Sequence, residues 1–472
     1  MPLFNRHQQR NTVEQLVEEY THFRITRRQF MQRALAAGVS TSAAVALLDA
    51  CGGPPSSSGS GGGINVSGTP PTVKSLDMLV VISGSELDNL NAVNDAFTSK
   101  TGIKVNVEST RDLPTVLSTR VRGNNPPDIS AIPDLPSITT YANEGKLLRL
   151  DSFLDMNSLK ANYSSTWLNL VTVNGGMYAV PYLANTKGTI WYSPKEFQAN
   201  GWSVPKTWND LITLSQQIAA SGKFPWAMGV ESGAASGWPA ADWIDQIYLT
   251  LNGPQMSDKW VNHQIPWTDS SVKNAFEYFG QIVTGKNFIQ GAPQSILATN
   301  FQPASYLPFD NPPKAYMYYL GDFTEGFITA QFPKAQAGTD FDFFPWPTIN
   351  PAYAGAVTGT ADIYFALKDN NGTRQYMQFL TTAEAQEIWV KKGGKSAVNK
   401  SVPASSYPDS VAAATAQQLQ SATSFRFSQD DSMPTAMENA YWKATLNYIQ
   451  NPSSLSSILS SLESTASSAY SS

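Results

Sequence analysis

Few of the 472 residues are of the types that usually run catalysis or hold metals. Histidine occurs at His7, His22 and His263, and cysteine only at Cys51. One cysteine excludes an intrachain disulfide, and so thin a Cys and His inventory excludes a clustered zinc site. Beyond residue 50 a histidine-dependent triad would rest on His263 alone, which stands between Asn262 and Gln264 and reads as a loop histidine. Glu231, Asp242 and Asp322 could be cast as an acid pair for glycosidic hydrolysis, but nothing in their spacing pairs them. Gly61-Gly62-Gly63 lacks the following Lys-Ser/Thr of a phosphate loop. The sequence therefore predicts no catalytic residue, no metal site and no cofactor.

What the chain does have is aromatic rings, amides and carboxylates. There are 12 Trp, 19 Tyr and 22 Phe, while charged residues make up only 15%, against roughly a quarter in an average soluble protein. Such a surface suits uncharged amphipathic ligands better than phosphates. A net charge of -5 argues against nucleic acid, which needs a basic footprint. The 42% of hydrophobic residues supports a full-sized core. At roughly 150 residues per domain, the length suggests about three domains or two large ones.

The first fifty residues read as an export address. Residues 1–33 hold six arginines against three glutamates, and Ala34 to Leu48 is a weakly apolar run. That run is shorter than the ~20 residues of a stable membrane-spanning helix, and the layout is that of a signal peptide. Thr26-Arg27-Arg28-Gln29-Phe30-Met31 resembles a twin-arginine export signal. Leu48-Asp49-Ala50-Cys51 resembles a bacterial lipobox, Asp49 departing from the usual small neutral residue. The expectation is a signal peptide over 1–50, lipidation of Cys51, and a flexible Gly/Ser/Pro linker over 51–73. By random-coil scaling the tether reaches roughly 25 Å. Removing residues 1–50 takes away six of the 32 basic and four of the 37 acidic residues, leaving a net charge of -7.

The remaining chain must position its rings and carboxylates on an α/β scaffold. Leu76 to Ile82 is a nearly continuous apolar run, as in a strand buried on both faces. A helical pattern follows through Leu87, Leu90, Val93 and Phe97, closing before Gly102. Strands are predicted at 103–107 and 128–132, with a helix at 113–121 between them. This order implies a parallel sheet whose ligands lie beyond the carboxyl ends of its strands. A second α/β unit starts near 187, with strands at 189–192 and 224–230. Further helices are predicted at 208–220, 238–252, 269–284 and 372–391. The Ser-rich tail keeps Leu455, Ile458, Leu459 and Leu462 at helical spacing and reads as a docked terminal helix.

Several segments in order resemble one family. Asn125-Pro126-Pro127-Asp128-Ile129 resembles its turn into the third strand, and Tyr141 to Asp151 its A-x-x-G-x-L-x-x-L-D stretch. Gly176-Met177-Tyr178-Ala179-Val180-Pro181-Tyr182 resembles its G-x-x-Y-A-V-P entry to the hinge. Trp191-Tyr192-Ser193, Phe197 and Gly201 through Trp208 resemble its W-Y-N…F…G-x-x-x-P-x-T-W pattern. Gly321-Asp322-Phe323 resembles its G-x-W position, with Phe for Trp, and Phe379 to Gln386 its F-L-T-S-x-E-x-Q. The family is the extracellular solute-binding proteins of bacterial ABC importers, family 1, the sugar-binding group. Gly237-Trp238-Pro239 and Asp242-Trp243-Ile244 are most similar to α-glucoside-type members.

The resemblance implies a two-lobe periplasmic-binding-protein-like (Venus flytrap) α/β fold with a multi-strand hinge. Lobe 1 would span 74–185 plus 351–396, and lobe 2 186–350 plus 397–472. It implies capture of a carbohydrate, an oligosaccharide or α-glucoside, in the interlobe cleft and delivery to ABC permease subunits. The protein would be monomeric, extracytoplasmic and held at the cell membrane by lipid, with no enzymatic activity and no nucleic-acid partner. The alternatives are a secreted glycan-active hydrolase and a receptor for a non-sugar solute.

Sugars present apolar ring faces and a rim of hydroxyls, so their sites combine aromatic platforms with planar polar groups. In lobe 1 the candidates are Ser85 and Glu86 at a helix start, where capping is the competing role. Arg111 follows the second strand, as ligand contact or surface arginine, and Asp134 follows the third, as ligand contact or turn carboxylate. Tyr182 and Asn185 stand at the expected crossover, where hinge packing competes. In lobe 2, Trp238 in a Gly/Ser-rich loop is a stacking candidate. Asp322 and Phe323 open a helix after a strand, and Trp346 lies between two prolines. Asp362 follows Thr358-Gly359-Thr360.

Overall fold

The computed structural model describes Ile64, Val66 and residues 68–471. The arginine pair Arg27-Arg28 and the lipobox cysteine Cys51 lie outside the described residues.

The chain opens as β1 (Ser75–Val80), a helix (Ser85–Thr101), β2 (Lys104–Ser109), a helix (Leu113–Arg122) and β3 (Ile129–Ala131). Both β2 and β3 pair with β1 in parallel, as the strand-helix alternation requires. Leu76, Met78, Leu79 and Val80 of β1 are fully buried, which accounts for the unbroken apolar run. The first helix ends where Gly102 turns left-handed at φ 74° and its N–H bonds to Thr98 O, a conformation that favours glycine.

A small hairpin, β4 (Thr172–Val173) and β5 (Gly176–Met177), leads into β6 (Ala179–Thr186), which is buried along its whole length. Only Lys187 and Gly188 separate β6 from β7 (Thr189–Tyr192), which belongs to a different sheet. β8 (Trp226–Ala227), β9 (Met317–Tyr319) and β10 (Asp342–Pro345) complete that second sheet in the order β10-β7-β9-β8. The chain returns on β11 (Ala356–Ala366), the longest strand, then β12 (Ser396–Ala397) and β13 (Ser424–Phe427). The first sheet runs β12-β6-β11-β3-β1-β2, with β13 beside the early part of β11. β6 and β11 are antiparallel, with a register shift between Ala361 and Ile363.

Each sheet has its own hydrophobic core. The first is built from residues such as Leu79, Ile129, Val180, Phe365 and Trp389. The second gathers Trp226, Trp243, Trp260, Trp267 and Phe279 with Tyr441 and Leu459 from the C-terminal helices. These are two α/β lobes joined where β6 and β11 run side by side. The helix Thr435–Gln450 and the tail helix Leu455–Ala469 pack on the second lobe, the tail burying Leu455, Ile458, Leu459 and Leu462.

Two sequence expectations change in detail. The helix predicted over 372–391 is two helices, Asn371–Leu380 and Ala383–Val390. Thr382 breaks it, because its Oγ1 accepts from Ala385 N and caps the second helix. The strand predicted over 224–230 pairs only at Trp226–Ala227, where β9 lies alongside it.

Candidate ligand-binding cleft

The carboxyl ends of β1, β2 and β3 open onto a cavity of about 170 Å³. Val81 and Ile82 reach it after β1, Arg111 after β2, and Ile132 and Pro133 after β3. Asn185, Thr360 and Asp362 from the crossing strands line it too, with Lys187 from the link after β6. The second lobe supplies Trp238, Phe301, Phe323 and the segment from Asp430 to Trp442. Among the described residues, no group of His, Cys, Asp or Glu is arranged to hold a metal ion.

Six of the eleven residues singled out in the sequence lie on this wall: Glu86, Arg111, Asn185, Trp238, Phe323 and Asp362. Glu86 and Asp362 share Lys395, whose Nζ lies 2.9 Å from Glu86 Oε1 and 2.6 Å from Asp362 Oδ2. Arg111 spans the cleft. Its Nε and Nη2 donate to Ser232 Oγ in the second lobe at 3.1 and 2.8 Å, while Nη1 donates to Val81 O at 3.0 Å. Burial lowers its pKa, with Glu86 and Glu231 pulling the other way. Asn185 Nδ2 donates to Asp322 Oδ1 at 2.7 Å and to Gly394 O at 3.2 Å. The Trp238 ring packs edge-on to Phe301 at 5.1 Å and beside Phe323 at 6.1 Å, with Lys187 Nζ 5.5 Å from its centre.

The other five stand behind the wall. Ser85 opens its helix with a buried Oγ that has no hydrogen-bond partner among the described residues. Asp134 caps the helix Leu135–Asn143 by accepting from Ser137 N, and Thr435 Oγ1 of the second lobe donates to it at 3.4 Å. Tyr182 is a core residue: it is fully buried, and its hydroxyl donates to Ala385 O at 2.6 Å. Trp346 packs among Trp208, Trp243 and Tyr319. Asp322 lies beneath Asn185, and burial pushes its pKa up to about 7 against the bonds from Asn185 and the Thr186 backbone.

The sequence reading missed Lys187, Lys395, Phe301 and the Asp430–Trp442 segment. Lys187 donates to Asp242 Oδ1 at 2.5 Å, with Asp431 Oδ2 at 3.7 Å. Burial works against its charge, but Asp242, Asp431 and Asp430 outweigh burial and raise its pKa. Asp430 in turn accepts from Trp442 Nε1 at 2.8 Å. Lys187 was two residues from the recognised crossover residue Asn185. Asp430 and Trp442 carry no local motif and reach the cleft only through the long chain return. Gly237 lies between Trp238 and the backbone of Trp442. At φ 107° it adopts a conformation side chains rarely take, and an added Cβ would collide with Trp442 O. That close approach sets the start of the helix Trp238–Asn252 against the helix bearing Trp442.

Two lobes, a crossing-strand hinge and a cleft walled by both are the features of the two-lobe solute-binding fold. The sequence profile of the bacterial extracellular solute-binding proteins matches residues 83–387, and the chain belongs to that family. It is similar to the osmoprotective compounds-binding protein GgtB of Synechocystis sp., at 33% identity over 80% of this chain and 89% of that one. It is similar also to the alpha-glucosides-binding periplasmic protein AglE of Rhizobium meliloti, at 31% identity over 76% of this chain and 80% of that one. Among solved structures, the bacterial solute receptor AcbH matches with a TM-score of 0.74 at 20% identity, covering 84% of this chain and 100% of that one. A chitin oligosaccharide binding protein matches at 0.72 and 19% identity, covering 85% and 100%. The family places the protein outside the cytoplasm and among binding proteins.

The raised pKa of Asp322 has a consequence for stability. The folded state keeps a proton that the unfolded chain releases near its ordinary value of 3.8. Stability from this group is therefore greatest at low pH, falls as pH rises toward about 7, and levels off above that. The full swing is on the order of 4 kcal/mol. Thermal unfolding followed from pH 5 to pH 8 should show a falling midpoint, and Asp322→Asn should flatten the fall. Equal slopes in the two proteins would refute this role.

Proposed function

We propose that this protein captures a carbohydrate in the cleft between its lobes and delivers it to the membrane permease of an ABC importer. The observation that carries this reading is the composition of the wall. Aromatic rings (Trp238, Phe323) and planar polar groups (Asn185, Asp362, Glu86) converge from both lobes on one cavity. Rings of this kind stack on the apolar faces of a sugar, and carboxylates and amides take its hydroxyls in pairs. Family membership supports the same reading, as do relatives named for alpha-glucosides and for osmoprotective compounds. Family membership supports a binding role rather than a catalytic one.

The lipobox-like Leu48-Asp49-Ala50-Cys51 and the arginine pair Arg27-Arg28 support export by the twin-arginine route and anchoring through a lipid on Cys51. A monomer tethered in this way holds one cleft near the membrane. The lobe boundaries near 185, 350 and 396 are proposed as the points where the chain changes lobe.

The direct test is a thermal-shift screen of the purified protein against sugars, amino acids, peptides and polyamines. A ligand at a hundredfold its Kd should stabilise the fold by about 2.7 kcal/mol and raise the midpoint. Stabilisation by a non-sugar alone would reject the carbohydrate reading. Metabolic labelling with a radioactive fatty acid should mark the wild type and leave Cys51→Ser unlabelled. An unlabelled wild type would reject the anchor.

A further inference from the structure

The geometry points to a proton-linked latch on the cleft: the carboxyl of Asp134 in the first lobe closes against those of Glu438 and Asp431 in the second, and the lobes come together by taking up protons there.

Packing sets the placement. The helix Leu135–Asn143 of the first lobe lies on the turn Asp430–Ser432 of the second. Asp134 caps that helix, is 1% exposed, and accepts from Thr435 Oγ1 across the cleft at 3.4 Å. Thr435 opens the helix Thr435–Gln450, and Glu438 follows one turn later on the same face. Glu438 is 3% exposed and Asp431 6%. Carboxyls from both lobes are thus enclosed together where the lobes touch.

The charges around them do not balance. On its own helix Asp134 faces Ser137, which donates through both its N–H and its hydroxyl, and the Tyr141 phenol. From the second lobe it faces Thr435, Glu438 and Asp431. Glu438 and Asp431 also face Asp430, and Asp431 faces Asp242. Asp245 and Tyr441 stand behind Asp430. Among the described residues the cation acting on this cluster is Lys187, whose Nζ lies 2.5 Å from Asp242 Oδ1 and 3.7 Å from Asp431 Oδ2. Arg111 acts instead on Glu86 and Glu231. One ammonium already bound to Asp242 does not offset Asp134, Asp430, Asp431 and Glu438 as well in a low-dielectric space.

Protons make up the difference. Burial pushes the Asp134 carboxyl up, against the bonds from Ser137 and Thr435. Burial pushes Glu438 well above the usual range, with Asp134, Asp431 and Asp430 adding to it and Lys187 opposing. Burial does the same to Asp431, with Asp430, Asp242 and Asp134 adding and Lys187 opposing. Parting the lobes admits water and removes the repulsion between Asp134 and the other two, so the open form releases protons nearer the ordinary values of 3.8 and 4.5. The support that protons give to closure is complete below the open-form values and is lost as pH rises through the raised closed-form ones. By the same linkage, a solute held by closure binds more tightly as pH falls.

Double electron–electron resonance on the unliganded full-length protein tests the latch. Spin labels go on Thr119→Cys in the first lobe and Asn209→Cys in the second, both exposed positions, in a Cys51→Ser background. From pH 5 to pH 8 the population at the closed-form distance should fall, the open-to-closed ratio rising by up to about tenfold per pH unit for each proton released. Asp134→Asn keeps a side chain that caps helices, and Glu438→Gln keeps the shape of the carboxyl. Each should shrink the pH dependence, and the two together should leave less than about threefold over the range, from Asp322 and Asp242. A wild-type distance distribution unchanged from pH 5 to pH 8, a closed population that grows with pH, or a double variant that keeps the full wild-type dependence would overturn the latch. None of these outcomes bears on the carbohydrate reading, which the thermal-shift screen tests with ligand present.

Discussion

A buried ammonium group at the crossover organises the molecule. Lys187 sits between β6 and β7, where the chain leaves one sheet for the other, and its side chain is 5% exposed. A charge in that position must be neutralised, and removing its partner would cost about 3–5 kcal/mol. Asp242 meets it at 2.5 Å from the helix Trp238–Asn252. That pairing ties the most loaded face of the second lobe to the hinge. It sets Trp238 at the start of the helix beside the ammonium and brings the Asp430–Asp431 turn in behind. Of the carboxylates around this ammonium, Asp430 and Asp431 also line the cleft.

A second buried lysine repeats the arrangement on the opposite wall. Lys395 neutralises Glu86 from the first helix and Asp362 from β11, and its ammonium lies 4.6 Å from the Trp389 ring. Around these two clusters the lobes also meet through Arg111 to Ser232, Thr435 to Asp134, Asn185 to Asp322, and Gln246 to Ala356 and Thr358. The backbone crossing of β6 and β11 is continuous, with β6 buried along its whole length and β11 along nearly all of it.

Much of the fold was legible because its signals are local. The apolar run of β1, the helix closed by Gly102 and the helix at 238–252 follow from periodicity and punctuation alone. The break at Thr382 was missed because a threonine cap inside an apolar-periodic stretch does not interrupt the pattern. The cleft was half legible. Glu86 and Arg111, which follow strands, could be placed by the rule that ligands lie at carboxyl ends, whereas Asp362, inside β11, was placed by the Thr358-Gly359-Thr360 stretch before it. Lys187 and Lys395 were not found, because buried lysines are rare and only their carboxylate partners, distant in sequence, make them possible. Asp430, Glu438 and Trp442 were invisible for the same reason. Tyr182 and Trp346 show the reverse error, since an aromatic beside a predicted hinge or between prolines packs the core as readily as it faces a ligand.

The central claim is that one cleft, walled by both lobes, holds a sugar. A crystal structure grown with a saturating neutral disaccharide that binds in solution tests it most directly. The account predicts the sugar between Trp238 of one lobe and Asp362 of the other, with hydroxyls on the carboxylates that surround Lys187 and Lys395. A sugar bound outside this cleft, or touching only one lobe with the other swung away, would contradict it.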